Sequence, residues 1–216
     1  MPSPTVENYL KALLSLSRET GAVNVTDLSR ALGVSKPAAN SMVKSLAARG
    51  LVAYERYRPL RLTPAGRTAA ALIVRKHRLT EMYLVDQMGF RWDEVHAIAE
   101  QVEHIDSPRF FQRMDELMGY PTVDPHGSPI PTPEGEIAAH DYDSLAETSA
   151  GQRATLRAVT GDADKLLSYL TRKGISLGTA FEVTEVEPFD GSLRVRYGEG
   201  REEVLTREVA RCLLVE

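Results

Sequence analysis

The chain has 216 residues and a net charge of −4, with 26 Lys and Arg against 30 Asp and Glu. A hydrophobic content of 43% supports folded cores throughout, and the length exceeds one typical domain without filling two large ones. The longest apolar runs, such as Ala70 to Val74, are far too short to cross a bilayer. No basic-then-apolar leader opens the chain and Cys212 is its only cysteine, so composition excludes a membrane span and a disulfide framework and points to a cytoplasmic protein.

The mean charge hides an uneven distribution. Residues 1–70 carry ten Lys and Arg against four Asp and Glu, a balance of +6; the remainder carry 16 against 26, a balance of −10. A basic first module attached to an acidic one points to a nucleic-acid-facing amino-terminal third.

In chain order, Val6, Leu10, Leu13, Leu14 and Leu16 recur at helical spacing, with Thr5 as the expected cap and Gly21 as the stop. Thr26 is the expected cap of a second helix with Leu28, Leu32 and Val34 as its core stripe, and Gly33 breaks it. A third helix starts at Ser35, tolerates Pro37 in its first turn, and turns Ala39, Met42, Val43 and Leu46 inward. Two short strands, Leu51 to Arg56 and Leu60 to Thr63, follow around the turn Arg58-Pro59. Helix, glycine turn, helix and β-hairpin make a winged helix-turn-helix, whose second helix enters a major groove. Its outward residues are Ser35, Lys36, Pro37, Ala38, Asn40, Ser41 and Lys44. Asn40 suits a base edge, Ser41 a base or phosphate, and Lys36 and Lys44 suit phosphates, with Arg56, Arg58 and Arg61 added by the wing.

A long amphipathic helix then runs from about Pro64 to Met88 and stops at Gly89. The segment RWDEVHAIAEQVEHI is the next helix, followed by one capped by Ser107 with Pro108 at its first position. Leu84, Phe110, Met114 and Leu117 are candidates for a self-association face. PTVDPHGSPIPTPEGE reads as a structured loop or linker, with His126 and His140 as loop or surface residues. Beyond Thr148 come a helix near Ala163 to Arg172 and strands near Phe181 to Val186, Leu193 to Tyr197 and Glu203 to Leu205, with Asp190-Gly191 as a hairpin turn. A small β-barrel fits that spacing.

The segment VHAIAEQVEH carries the chemistry. With His96 at zero on a helical wheel, Glu100 falls near about 40°, Glu103 near about 340° and His104 near about 80°, at the border of the apolar face. His77 and Glu81, four residues apart, share a face of the preceding helix. Packed together, these side chains gather imidazoles and carboxylates of the kind that hold Mn(II), Fe(II), Co(II), Ni(II) or Zn(II). A merely solvated polar face is the other reading. EQVEH also comes close to the inverted zinc-protease motif, but Glu100 stands where its first histidine belongs, and no other catalytic motif occurs. The residues therefore point away from an enzyme.

ENYLKALLSL, LGVSKPAANSMVKSLAARGLV, LTPAGR, RKHRLTE, VHAIAEQVEH and PHGSPIP together resemble the diphtheria toxin repressor family, in particular its manganese-responsive members with a third domain. The tail GDADKLLSYLTRKGISLGTAFEV resembles the SH3-like, FeoA-type domain that ends the longer members. The resemblance implies an α+β chain: a winged helix-turn-helix over 1–70, a helical metal-binding and dimerisation domain over 71–140, and an SH3-like β-barrel over 148–216. It implies a homodimeric repressor of metal-uptake genes, activated by Mn(II) or Fe(II), on an inverted-repeat double-stranded DNA operator. Matched by motif, Asn8, Glu100, Glu103 and His104 form the principal metal site. His77, Glu81 and His96 form an ancillary one, with Asp162 or Asp164 added from the third domain. Asn8 replaces the family's aspartate or methionine. Lys11 replaces a second-site glutamate, which argues against a closely spaced two-metal arrangement. A winged-helix regulator sensing a non-metal ligand, and a metal-binding hydrolase, are the competing readings.

Overall fold

The computed structural model describes residues 3–56, 58–139, 141–160 and 163–216; for Glu19, Thr20, Ala163 and Asp164 it describes the backbone alone. Two compact units result. The first comprises Met1–Thr80, Ala99–Met114 and Ile130–Ala138, the second Glu81–Ile98, Asp115–Pro129 and Ala139–Glu216.

In the first unit, helices α1 (Pro4–Thr20), α2 (Val25–Ala31) and α3 (Lys36–Ala48) share one core with the two-stranded wing, β1 (Val52–Ala53) and β2 (Arg61–Leu62). Val6, Tyr9, Leu10, Leu13 and Leu14 of α1 meet Leu28 of α2 and Ala39, Val43 and Leu46 of α3. Burying a side chain the size of Leu46 contributes about 1.5–3 kcal/mol, so this stripe fixes α3 on α1. The helix ends differ from expectation. Ser3 and not Thr5 is the first N-cap, with Pro4 at the position where a missing N–H costs nothing. Asn24 and not Thr26 caps α2 by accepting from the Asp27 N–H at 3.0 Å. Ser35 caps α3 as expected, and Gly21 ends α1 in the left-handed region. Val34 is exposed instead of lying in the core.

The wing strands are shorter than their sequence runs. They pair antiparallel as Val52 with Leu62 and Ala53 with Arg61, and a bridge between Val23 and Leu60 ties the wing to the turn after α1. Helix α4 (Pro64–Asp86) starts against the wing, where a Cβ on Gly66 would lie 1.9 Å from the Leu51 carbonyl oxygen. Helices α4, α5 (His96–Val102) and α6 (Pro108–Leu117) each contribute residues to both units. The expected long helix around His96 is only seven residues, and Glu103 and His104 lie in the turn that ends it. Leu84 and Met114 are buried within the chain, which removes them from any self-association face; Phe110 and Leu117 are exposed.

The second unit is built on a six-stranded antiparallel sheet of order β3-β8-β4-β5-β6-β7: β3 (Asp143–Ser144), β4 (Arg153–Val159), β5 (Ala180–Val186), β6 (Leu193–Tyr197), β7 (Arg201–Leu205) and β8 (Leu213–Val215). Helix α7 (Ala163–Lys173) covers it with Leu167 and Leu170, and α8 (Arg207–Cys212) precedes the last strand. The Asp190-Gly191 turn forms as expected, with Gly191 at φ 72° and the Asp190 carboxylate accepting from the Ser192 N–H at 2.8 Å. Sequence reasoning missed β3, β4, α8 and β8. Among the described residues, no helix is long and apolar enough to cross a membrane.

Candidate metal centre and DNA-facing surface

Helix α1 presents Glu7, Asn8 and Lys11 on one side, spaced by a turn. Lys11 Nζ lies 2.5 Å from Glu100 Oε1 and 2.7 and 2.9 Å from the two Glu103 oxygens. The Glu103 side chain is wholly inaccessible to solvent, and its second oxygen is 2.5 Å from His77 Nδ1 on α4. Burial alone pushes the Glu103 carboxyl up, but the His77 hydrogen bond and the Lys11 charge outweigh it and hold the group below the ordinary carboxylate range. Glu103 is therefore an anion enclosed by protein, a state sustained only by paired charges.

Glu7, which stands beside Asn8 in ENYLKALLSL but to which the sequence assigned no role, completes this network. Its buried carboxylate meets His104 Nδ1 at 2.6 Å and Lys76 Nζ at 3.7 Å, while Lys76 also donates to the Glu103 carbonyl at 2.8 Å. Glu7 thus orients His104, whose Nε2 is 3.8 Å from Glu103 Oε1.

The donors fit a divalent cation. One ligand atom each from His77, Glu100 and Glu103 lies within 4.8 Å of the others. The Asn8 Oδ1 is buried without a hydrogen-bond partner. Leaving such an acceptor unsatisfied costs about 1–3 kcal/mol, a cost that a cation removes and a water-excluded core does not. His77 thus also faces the Glu100 and Glu103 group, in addition to the ancillary set in which the family resemblance places it.

In the second unit Glu81, Asp124 and His126 form another such group, all three buried, with ligand atoms within 4.8 Å of one another. His126 was expected as a loop or surface residue; it does lie in a loop, but is buried there. Its Nε2 faces the Trp92 carbonyl at 2.8 Å, and since a carbonyl only accepts, Nε2 donates there and leaves Nδ1 facing Glu81 Oε2, 3.7 Å away. Asp124 Oδ1 accepts from the backbone N–H groups of His126 and Ser128 at 2.8 and 2.9 Å, which folds the loop around the site. His96 Nδ1 is 3.2 Å from Glu81 Oε1. Asp162, the Asp164 side chain and His140 lie outside the described residues.

On α3, Ser35, Lys36, Pro37, Ala38, Ser41 and Lys44 are exposed, as are Arg56, Arg58 and Arg61 in and beside the wing. Asn40 is half-buried, and its Oδ1 accepts from the Tyr54 hydroxyl at 3.2 Å, so the wing holds this amide in place. Arg58 is paired with Glu55 at 3.1 Å.

Fold and site together define a winged-helix protein with a buried imidazole–carboxylate centre linking its first helix to the turn after α5. Residues 1–60 match the iron dependent repressor N-terminal DNA binding domain, 63–132 the iron dependent repressor metal binding and dimerisation domain, and 144–216 the FeoA domain. The chain belongs to the diphtheria toxin repressor family. It is 30% identical to the diphtheria toxin repressor of Corynebacterium efficiens over 193 residues, 83% of this chain and 82% of that protein. It is 36% identical to the iron-dependent repressor IdeR of Mycobacterium tuberculosis over 127 residues, 59% of this chain and 55% of that one, so it spans about half the length of that relative. Among solved structures, a manganese-dependent transcriptional repressor in complex with manganese superposes with a TM-score of 0.89 at 33% identity, covering 97% of this chain and 98% of that one. ScaR with bound Cd2+ gives 0.84 at 31% identity, covering 98% of each.

Proposed function

We propose that the protein is a homodimeric, cytoplasmic transcriptional regulator, a repressor of metal-uptake genes, activated by Mn(II) or Fe(II), with other divalent transition metals able to bind in vitro. The observation that carries this reading is the convergence of His77, Glu100 and Glu103 on the face of α1 where Asn8 Oδ1 is buried without a partner. Asn8, His77, Glu100, Glu103 and His104 would hold the principal ion. A divalent cation there would supply positive charge to the Glu100 and Glu103 carboxylates, and Asn8 from α1 together with Glu103 and His104 from the end of α5 would hold it. Oxygen and imidazole donors without a thiolate suit Mn(II) and Fe(II) by ligand type, and the names of the relatives agree.

The remaining work belongs to the chain itself. Restraining α1 restrains α3, because Leu10, Leu13 and Leu14 share a core with Val43 and Leu46. Two α3 helices held at fixed spacing in a dimer suit an inverted-repeat operator in double-stranded DNA. Ser35, Lys36, Pro37, Asn40, Ser41, Lys44, Arg56 and Arg58 would face it. A coupling of about 1–3 kcal/mol would tighten operator binding by about 5- to 150-fold. We assign DNA binding to residues 1–70, metal binding and dimerisation to 71–140, and the SH3-like domain to 148–216. Glu81, Asp124 and His126, with His96 beside Glu81, would form the ancillary centre, with Asp162 or Asp164 as further ligands. The reading is regulatory and not catalytic.

The test is fluorescence anisotropy on a selected operator, with chelator or Mn(II) added. Wild type gains affinity reversibly with Mn(II), and Glu103→Gln and His104→Ala lose that gain while remaining folded dimers. Unchanged stimulation in both variants refutes the assignment, and indifference of the wild type to metal favours a non-metal ligand.

A further inference from the structure

Lys11 places a cation of the protein's own between the two carboxylates of the principal site. Its ammonium contacts Glu100 Oε1 and both oxygens of Glu103, three acceptors for a group with three protons. Its side chain is only 21% exposed and that of Glu103 not at all, so screening by water does little to weaken the pair. The stem that carries it leaves α1 one turn after Glu7 and Asn8, which keeps the ammonium at the site whatever the composition of the medium. A divalent cation entering the same carboxylates has to displace this group and then tolerate its charge nearby.

We propose that Lys11 is an intramolecular competitor for the activating metal and sets the metal concentration at which the protein responds. The inference rests on His77, Glu100 and Glu103 being metal ligands. Lys11 lowers affinity in two ways. It satisfies Glu103 and Glu100 in the metal-free state, so binding metal gives up existing ion pairs, and it adds a like charge to the loaded site. Removing the charge raises affinity and also weakens the metal-free fold, because Glu103 then keeps His77 at 2.5 Å and His104 at 3.8 Å but loses the ammonium.

The experiment is calorimetric titration of chelator-treated full-length protein with Mn(II), comparing wild type, Lys11→Met, Lys11→Gln, Lys11→Arg and Glu103→Gln. The isotherm that disappears in Glu103→Gln belongs to the principal site. At that site Lys11→Met and Lys11→Gln bind at least about 10-fold more tightly than wild type, a difference of about 1.4 kcal/mol, and Lys11→Arg stays within about 3-fold of it. Thermal unfolding gives a second readout: the neutral variants melt below wild type in chelator and gain more from Mn(II). Lys11→Gln, which can still donate to a carboxylate, preserves the test where Lys11→Met does not fold. An isotherm weakened by Glu103→Gln but left unchanged or weakened by the neutral Lys11 variants overturns the inference alone. An isotherm indifferent to Glu103→Gln overturns the ligand assignment and the inference with it.

Discussion

Replacing Gly127 by alanine perturbs the loop that carries Asp124 and His126 while changing no polar group. Gly127 has φ 84°, a conformation that costs an L-residue about 1–2 kcal/mol. The new Cβ would also lie 2.1 Å from the Arg157 carbonyl oxygen and 2.8 and 2.9 Å from Ala158 Cα and Cβ, all in β4. Backbone is the obstacle, so the loop has to move; overpacking of this kind costs about 1–3 kcal/mol. The total, about 2–5 kcal/mol, is a large share of the roughly 5–15 kcal/mol that holds a typical domain. Movement would also stretch the hydrogen bond from the Val159 N–H to the His126 carbonyl, 2.9 Å long, and draw His126 away from Glu81. The assay is urea unfolding in chelator followed by the fluorescence of Trp92, the single tryptophan, whose indole donates to Thr171 at 2.7 Å and which packs on the sheet core. With a slope of about 2 kcal/mol per molar, the midpoint falls by about 1–2.5 M. A shift below about 0.25 M refutes the close approach of loop and strand.

Lys36→Ala and Lys44→Ala should weaken operator binding and flatten its dependence on salt by about one unit of slope for each phosphate left without its lysine, with Mn(II) affinity unchanged by calorimetry; loss of metal binding in these variants would count against the division of labour. Tyr54→Phe removes the bond that holds Asn40, and selection of operator sequences should show relaxed preference at one base position in each half-site with little change in non-specific affinity. Leu46→Ala, at a fully buried position between α3 and α1, should cost about 2–5 kcal/mol in denaturant unfolding; a cost under about 1 kcal/mol would show that α3 is not anchored by this core. His126→Ala should remove one class of metal sites in a titration and leave intact the class that Glu103→Gln removes.

The helical architecture was legible because its apolar residues recur at helical spacing and its punctuation is glycine and proline: Gly21, Pro37, Gly89 and Pro108 all stand where elements begin or end. The missing strand β4 has Ala154 and Ala158 at two of its inward positions, and alanine carries little β-propensity, so its alternation was easy to overlook. His126 was illegible for a different reason. Its loop is dense in Pro and Gly, which usually marks solvated chain, and its burial depends on Trp92 and Glu81, 34 and 45 residues away in sequence. The spacing of Glu100, Glu103 and His104 indicated convergence on α1, but not that His77 would contact Glu103 or that Glu7 would hold His104; both depend on how α1 and α4 pack around the turn after α5. Lys11 was visible as a departure from the family pattern, and only the fold shows its ammonium between two carboxylates.

The sheet of the second unit has two open margins, and both are poor templates for another chain. One is β3, only two residues long and beginning with Asp143; the other is β7, whose Arg201, Glu202 and Glu203 put charge along the strand. A growing stack of sheets needs long, flat, uncharged rims, and these deny it one. Two copies of the chain therefore meet without a long uncharged rim along which their sheets could zip together.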